Sequence, residues 1–155
     1  MIDHIISELN NKLGLMIKSL FKKNDRRLYI DISKEDIVKA SRILYGDFKA
    51  RFSIMTGIDT FKGIELLYHF SLDHQGGVFV TLRVLLEDKK KPEIESLTSV
   101  FLASNWIERE VHELLGVNFI NHPNLEHLLL TNDWPEGVYP LRKEYVSEKG
   151  LPENE

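Results

Sequence analysis

The stretch Ile64-Glu65-Leu66-Leu67-Tyr68-His69-Phe70-Ser71-Leu72, then Asp73-His74-Gln75-Gly76-Gly77, then Val78-Phe79-Val80-Thr81-Leu82-Arg83-Val84-Leu85-Leu86 decides the fold. Ile64, Leu66, Tyr68, Phe70 and Leu72 recur at every second position, as do Val78, Val80, Leu82, Val84 and Leu86. Side chains of a strand alternate between the two faces of a sheet, so each run presents its apolar groups on one face. Gly76 and Gly77 tolerate the positive φ that a tight loop requires, and the two runs read as an antiparallel hairpin.

Outward from this hairpin, Phe52, Ile54 and Thr56 alternate in a shorter strand, and Leu28, Ile30 and Ile32 alternate with Tyr29 and Asp31 in a half-buried one. Ile2, Ile5, Ile6, Leu9, Leu13, Met16, Ile17 and Leu20 keep a helical period, with Gly14 a weak point inside it. A second helix carries Ile37, Ala40, Leu44 and Phe48 on one face, after a Ser33/Asp36 capping pair. Beyond the hairpin lies a polar link from Asp88 to Glu95 with Pro92 inside it. Helical spacing then returns at Ile107, Val111, Leu114 and Leu115, with Asn105 as its cap and Gly116 as its stop. From Val117 the periodicity is lost, yet Phe119, Trp134, Tyr139 and Tyr145 do not have the composition of a disordered linker. The order α–β–α–β–β–β–α predicts an α+β single domain with a mainly antiparallel sheet over residues 1–116. An extended, irregular C-terminal arm over 117–155 packs on that domain or on a partner.

Bulk properties narrow the function. At 155 residues the chain suffices for one domain with a proper core. A formal net charge of -4 argues against nucleic-acid binding, which needs a concentrated positive field. The basic runs at Lys22-Lys23-Asn24-Asp25-Arg26-Arg27 and Lys89-Lys90-Lys91 read as solvated turns. The absence of cysteine removes disulfides, thiolate-ligated zinc or iron–sulfur clusters, and a cysteine nucleophile. No stretch approaches the about 20 apolar residues of a membrane span. Asp3 and Glu8 make the N-terminus unlike a signal peptide, so membrane association is expected only through partners.

No catalytic constellation emerges: there is no G-x-S-x-G, phosphate-binding loop or dinucleotide fingerprint. His69 and His74, like His122 and His127, are five apart, which matches no helical ligand pair. A metal site assembled from His112, Glu113 and His122 is the minority reading, and a small metal-dependent enzyme using the His and Glu residues of 112–127 is the functional alternative. A ligand-binding regulatory module of α+β type is a third. In Trp106-Ile107-Glu108-Arg109-Glu110-Val111-His112-Glu113, Glu108 shares a helix face with His112 and Arg109 with Glu113. Spacing alone makes this a solvated charged face or an interaction surface.

Several linked motifs go further. Asn105-Trp106-Ile107-Glu108-Arg109-Glu110 is followed by Leu115-Gly116-Val117, Phe119, His122-Pro123 and Leu125, then Tyr139-Pro140-Leu141-Arg142-Lys143-Glu144-Tyr145. Together they resemble the 30-kDa subunit family of the NADH:quinone oxidoreductases (respiratory complex I), whose pattern runs N-W-x-E-R-E, x-G-x-x-F-x-x-H-P-x-L and P-L-R-K-D/E-[FY]. Met55-Thr56-Gly57-Ile58-Asp59 and Glu65-Leu66-Leu67-Tyr68-His69 resemble the family's strand pair upstream. The similarity covers about residues 27 to 146. It departs at His112-Glu113, where the family has Tyr-Asp, at Leu115, where it has Phe, and at Glu126-His127, where Arg-Arg is common.

The resemblance extends to the related subunit of membrane-bound energy-converting hydrogenases. It implies a non-catalytic subunit without cofactor or metal, peripheral on the cytoplasmic side of the membrane. Such a subunit would brace a large quinone-site or nickel–iron subunit beside a small iron–sulfur subunit. Trp106, Glu108, Arg109, Glu110, Gly116, Phe119, His122, Pro123, Leu125, Pro140, Leu141, Arg142 and Lys143 are the signature positions it assigns to the arm and the partner interface.

Overall fold

A computed structural model describes residues 1–145 and places the hairpin at the centre of a mixed five-stranded sheet. Strands β4 (Ile64–Leu72) and β5 (Val78–Leu86) pair antiparallel, Ile64 opposite Leu86 and Leu72 opposite Val78, so their apolar sets share one buried face. β3 (Arg51–Asp59) lies antiparallel beside β4 and forms one sheet edge. β2 (Arg27–Asp31) runs parallel to β5 and antiparallel to β1 (Ser19–Asn24), the other edge.

Helix α1 (Ile2–Leu13) buries Ile2, Ile5, Leu9 and Leu13. The periodicity carries this helix on to Leu20, but Gly14, at φ 52°, ends it, and Leu20 falls in β1. That strand has no buried residue, so no alternation marks it. Helix α2 (Ile37–Gly46) buries Ile37, Ala40 and Leu44 as expected, although a 3₁₀ turn precedes it and Ser33 makes no capping bond. Asn105 is not a cap either: α3 (Ser104–Leu115) begins before it, as the Ser104 hydroxyl donates to the Phe101 carbonyl.

The largest departure is a second, two-stranded sheet. β6 (Glu93–Glu95) lies in the polar link and β7 (Asn118–Ile120) in the aperiodic arm, and they pair in parallel with Ile94 opposite Phe119. Each strand has a single inward residue, too few for a period of two to show. Val117 and Phe119 are thereby part of the core, which is one cluster running through α1, α2, the sheet and α3.

Gly57 sets how closely α3 approaches β3. A Cβ there would stand 2.6 Å from Leu115 Cδ1 and 3.3 Å from Val111 Cγ1. Gly57→Val is expected to destabilise the chain by about 1–3 kcal/mol through overpacking. Gly46→Ala, at the end of α2 with open space around it, should be neutral or slightly stabilising. Urea unfolding midpoints of the two variants check both expectations.

Candidate partner-binding site

The charged run on α3 is not a solvated face. Glu108 is fully buried, accepting from the Ser96 hydroxyl at 2.6 Å and the Leu97 N–H at 2.7 Å. It thus ties the turn after β6 to the helix. Burial pushes its pKa up to about 7, against hydrogen bonds from Ser96 and Leu97 that pull it down. His122 Nε2 lies 3.9 Å from this carboxylate but donates to the Asn105 carbonyl at 3.1 Å, while Nδ1 accepts from the Asn124 N–H. That pattern is the neutral imidazole, and burial lowers its pKa further. The Tyr68 hydroxyl is buried without a hydrogen-bond partner among the described residues. Burial, and then Glu108, hold its pKa well above the ordinary phenol value.

Arg109 and Glu113, which share a face by spacing, do not pair. Arg109 donates to the carbonyls of Glu126 and His127 at 3.0 and 2.6 Å. Glu113 accepts the N–H groups of Leu128, Leu129 and Leu130 at 3.0, 2.7 and 3.3 Å, with His127 Nδ1 3.3 Å away. Burial raises its pKa, but those donors outweigh burial and leave it below the usual carboxylate value. The two side chains clamp residues 126–130 of the arm onto α3.

A second clamp holds residues 139–143 of the arm. Gly116 closes α3 at φ 74°, and a Cβ there would meet the Tyr139 ring at 2.5 Å. The Leu141 N–H donates to the Leu114 carbonyl, and buried Arg142 donates to the carbonyls of Leu115 and Lys89 at 2.5 and 3.0 Å. The Lys143 N–H meets Asp59, whose carboxylate also binds Lys89 Nζ. Burial raises the Asp59 pKa, but Lys143 and Lys89 bring it below the ordinary value. Asp59 and Lys89 act here without having been assigned a site role from sequence. Asp59 does fall within the Met55–Asp59 motif.

The remaining signature positions divide. Phe119 is core, Leu125 packs half-buried against it, and Pro140 is half-buried. Pro123 is exposed, and Lys143 Nζ sits 4.0 Å from the Phe61 ring centre. Trp106 is 70% exposed, and Leu141, Leu129 and Ile54 are at least half-exposed. Glu110 is half-buried beside Trp106, lining the same groove. The structure does not assemble His112, Glu113 and His122 into a metal site, since His112 faces the Val117 carbonyl at 2.8 Å. Among the described residues no group of three or more His, Asp or Glu side chains could hold a metal, and no helix is long and apolar enough to cross a membrane.

A family model described as respiratory-chain NADH dehydrogenase, 30 Kd subunit, matches residues 30–150. The corresponding subunit of the F(420)H(2) dehydrogenase of Methanosarcina mazei is 34% identical over 91% of this chain and 89% of its own length. That of the NADH-quinone oxidoreductase of Streptomyces coelicolor is 34% identical over 92% of this chain but 61% of its own length. Among solved structures, a chain of the membrane-bound sulfane sulfur reductase, an archaeal respiratory membrane complex, superposes with a TM-score of 0.79. It is 24% identical and covers 93% of this chain and 85% of that one. The chain belongs to the 30 Kd subunit family of the respiratory-chain NADH dehydrogenase, the family its motifs resemble.

Because burial raises the Glu108 pKa from 4.5 to about 7, the stability linked to its proton is full below pH 4.5 and lost as pH rises through 7. The loss approaches about 3 kcal/mol at alkaline pH. Glu108→Gln keeps an acceptor for Leu97 and cannot ionise. Relative to wild type, the variant is expected to gain stability from pH 5 to about pH 7 and to level off by pH 8. Urea melts of both proteins at pH 5, 6.5 and 8 check this, and a constant difference would contradict it.

Proposed function

We propose that the chain is a non-catalytic subunit of the hydrophilic arm of a complex I-like electron-transfer assembly. There it braces a large quinone-site or nickel–iron-site subunit next to a small iron–sulfur subunit. The observation that carries this reading is the division of the signature. Arg109 and Arg142 fasten the arm to its own domain, while Trp106 and Leu141 are left at the surface. Exposed aromatic groups set among apolar neighbours are the usual anchors of protein interfaces. The sequence has no thiol to hold an iron–sulfur cluster, so a loss of electron transfer on mutation would act through assembly. On this reading the subunit is peripheral, on the cytoplasmic side, and meets the membrane only through its partners. A metal-dependent enzyme on residues 112–127 draws no support from the geometry, because His112, Glu113 and His122 are each turned to different backbone groups.

Cutting the chain after Gly116 would strip Val117 and Phe119 from the core, so the informative truncation falls after Leu130 and spares the Glu113 clamp. That shortened chain is expected to keep its circular dichroism spectrum and yet fail to co-purify with the large subunit from the native host. Arg142→Glu should release the same arm at a cost of about 3–5 kcal/mol, since it places a buried carboxylate against two carbonyls. Normal assembly and turnover with the truncated chain would overturn the bracing role.

A further inference from the structure

We propose that the groove between the β3 edge and the outer face of α3 receives an extended, apolar segment of another subunit that carries one lysine or arginine opposite Glu110. The inference rests on the bracing function and names the chemistry of the partner at this face.

Phe52, Ser53 and Ile54 all line the groove, which encloses about 410 Å³. Successive side chains of a regular strand point to opposite faces, so three consecutive residues line one groove where it follows the strand's edge or where a bulge interrupts the pleat. β3 is the last strand of the sheet, and no strand among the described residues pairs with its outer side. The β3–β4 register also shifts between Phe52 and Ile54, which leaves Ser53 without a partner in β4. The bulge interrupts a regular ladder along this edge, so the segment is held there by the apolar lining and by charge rather than by a continuous added strand.

Trp106 and Glu110, one turn apart on α3, and Leu129 of the arm also line the groove. Trp106 and Leu129 are 70% and 62% exposed, and Leu129 is fixed there by its N–H bond to Glu113. The apolar lining contributed by Leu129 is therefore held in place by the clamp.

Glu110 is the only charged side chain that lines the groove, and it has no ion pair among the described residues. Covering it with a purely apolar or acidic segment would bury an unpaired carboxylate, whereas a cationic side chain answers it. The same charge disfavours a second copy of this chain. A two-fold contact through this face would bury two Glu110 carboxylates, and the groove lining offers no cation to either.

The test uses the whole complex purified from its native host, with photo-activatable benzoylphenylalanine introduced at position 53 or position 106. Both positions are expected to cross-link to one segment of one other subunit, identified by mass spectrometry. That segment should be extended and apolar, with a lysine or arginine within about two residues of the adduct. Glu110→Lys should lower the yield of that adduct about tenfold or more, and reversing the partner's cation to glutamate should restore it. Adducts within this chain, to a second copy or to an acidic segment would overturn the proposal, as would no adduct at either position in an intact complex. Such a result beside arm-dependent assembly would remove only the groove's occupant. Assembly without the arm would remove the bracing function itself.

Discussion

Three backbone N–H groups, those of Leu128, Leu129 and Leu130, converge on the single carboxylate of Glu113. A segment outside helix and strand must still satisfy its buried amide groups, and here a side chain supplies what a neighbouring strand otherwise would. The ionised form is favoured because all these donors point at it, which is why the carboxylate stays charged although it is buried. Arg109, one turn earlier, takes the carbonyls of Glu126 and His127. Between them the two side chains answer both kinds of backbone group over five residues of arm. The position of Leu128 and Leu129 beside Trp106, and with it the groove, follows from that clamp.

The parts legible in the sequence are those where a long element buries one face. The β4–β5 hairpin, the apolar stripe of α1 and the Gly116 stop all belong to that group. β1 was hidden because no residue of an exposed edge strand need be apolar, and β6 and β7 because a three-residue strand shows one inward side chain. The charged run on α3 misled for a different reason. Helical spacing correctly puts Arg109 and Glu113 on one face, but an ion pair between them would be worth only about 0.3–0.5 kcal/mol. Backbone donors and acceptors of the arm are stronger competitors for both. Which of these wins depends on contacts up to 18 residues away, beyond the reach of any local pattern.

The signature motifs thus separate into two layers of one device. Glu108, Arg109, Arg142 and the Lys143 backbone act within the chain, joining α3 to the turn after β6, to residues 126–130 and to residues 139–143. Trp106, Glu110 and Leu141 face outward from the same elements. Because the inward groups fix the helix and the arm as one unit, the backbone that carries the outward groups is held in place, and under the proposed bracing role it has little freedom to lose on docking. Preorganisation of that kind lowers the entropic cost of association.

The join between helix and arm shows how tightly the two layers are coupled. A helix ends with carbonyls that have no intrahelical donor and with the negative end of its dipole. At the end of α3, the Leu114 carbonyl accepts the Leu141 N–H and the Leu115 carbonyl accepts the Arg142 guanidinium. The arm is therefore the cap of the helix. Gly116 makes this geometry possible twice over, by adopting φ 74° and by leaving room for the Tyr139 ring where a Cβ would stand. A side chain there would both strain the turn and push away the segment that supplies the cap. For that reason the glycine, the tyrosine and the arginine of the signature, although separated by more than twenty residues, constitute a single structural requirement.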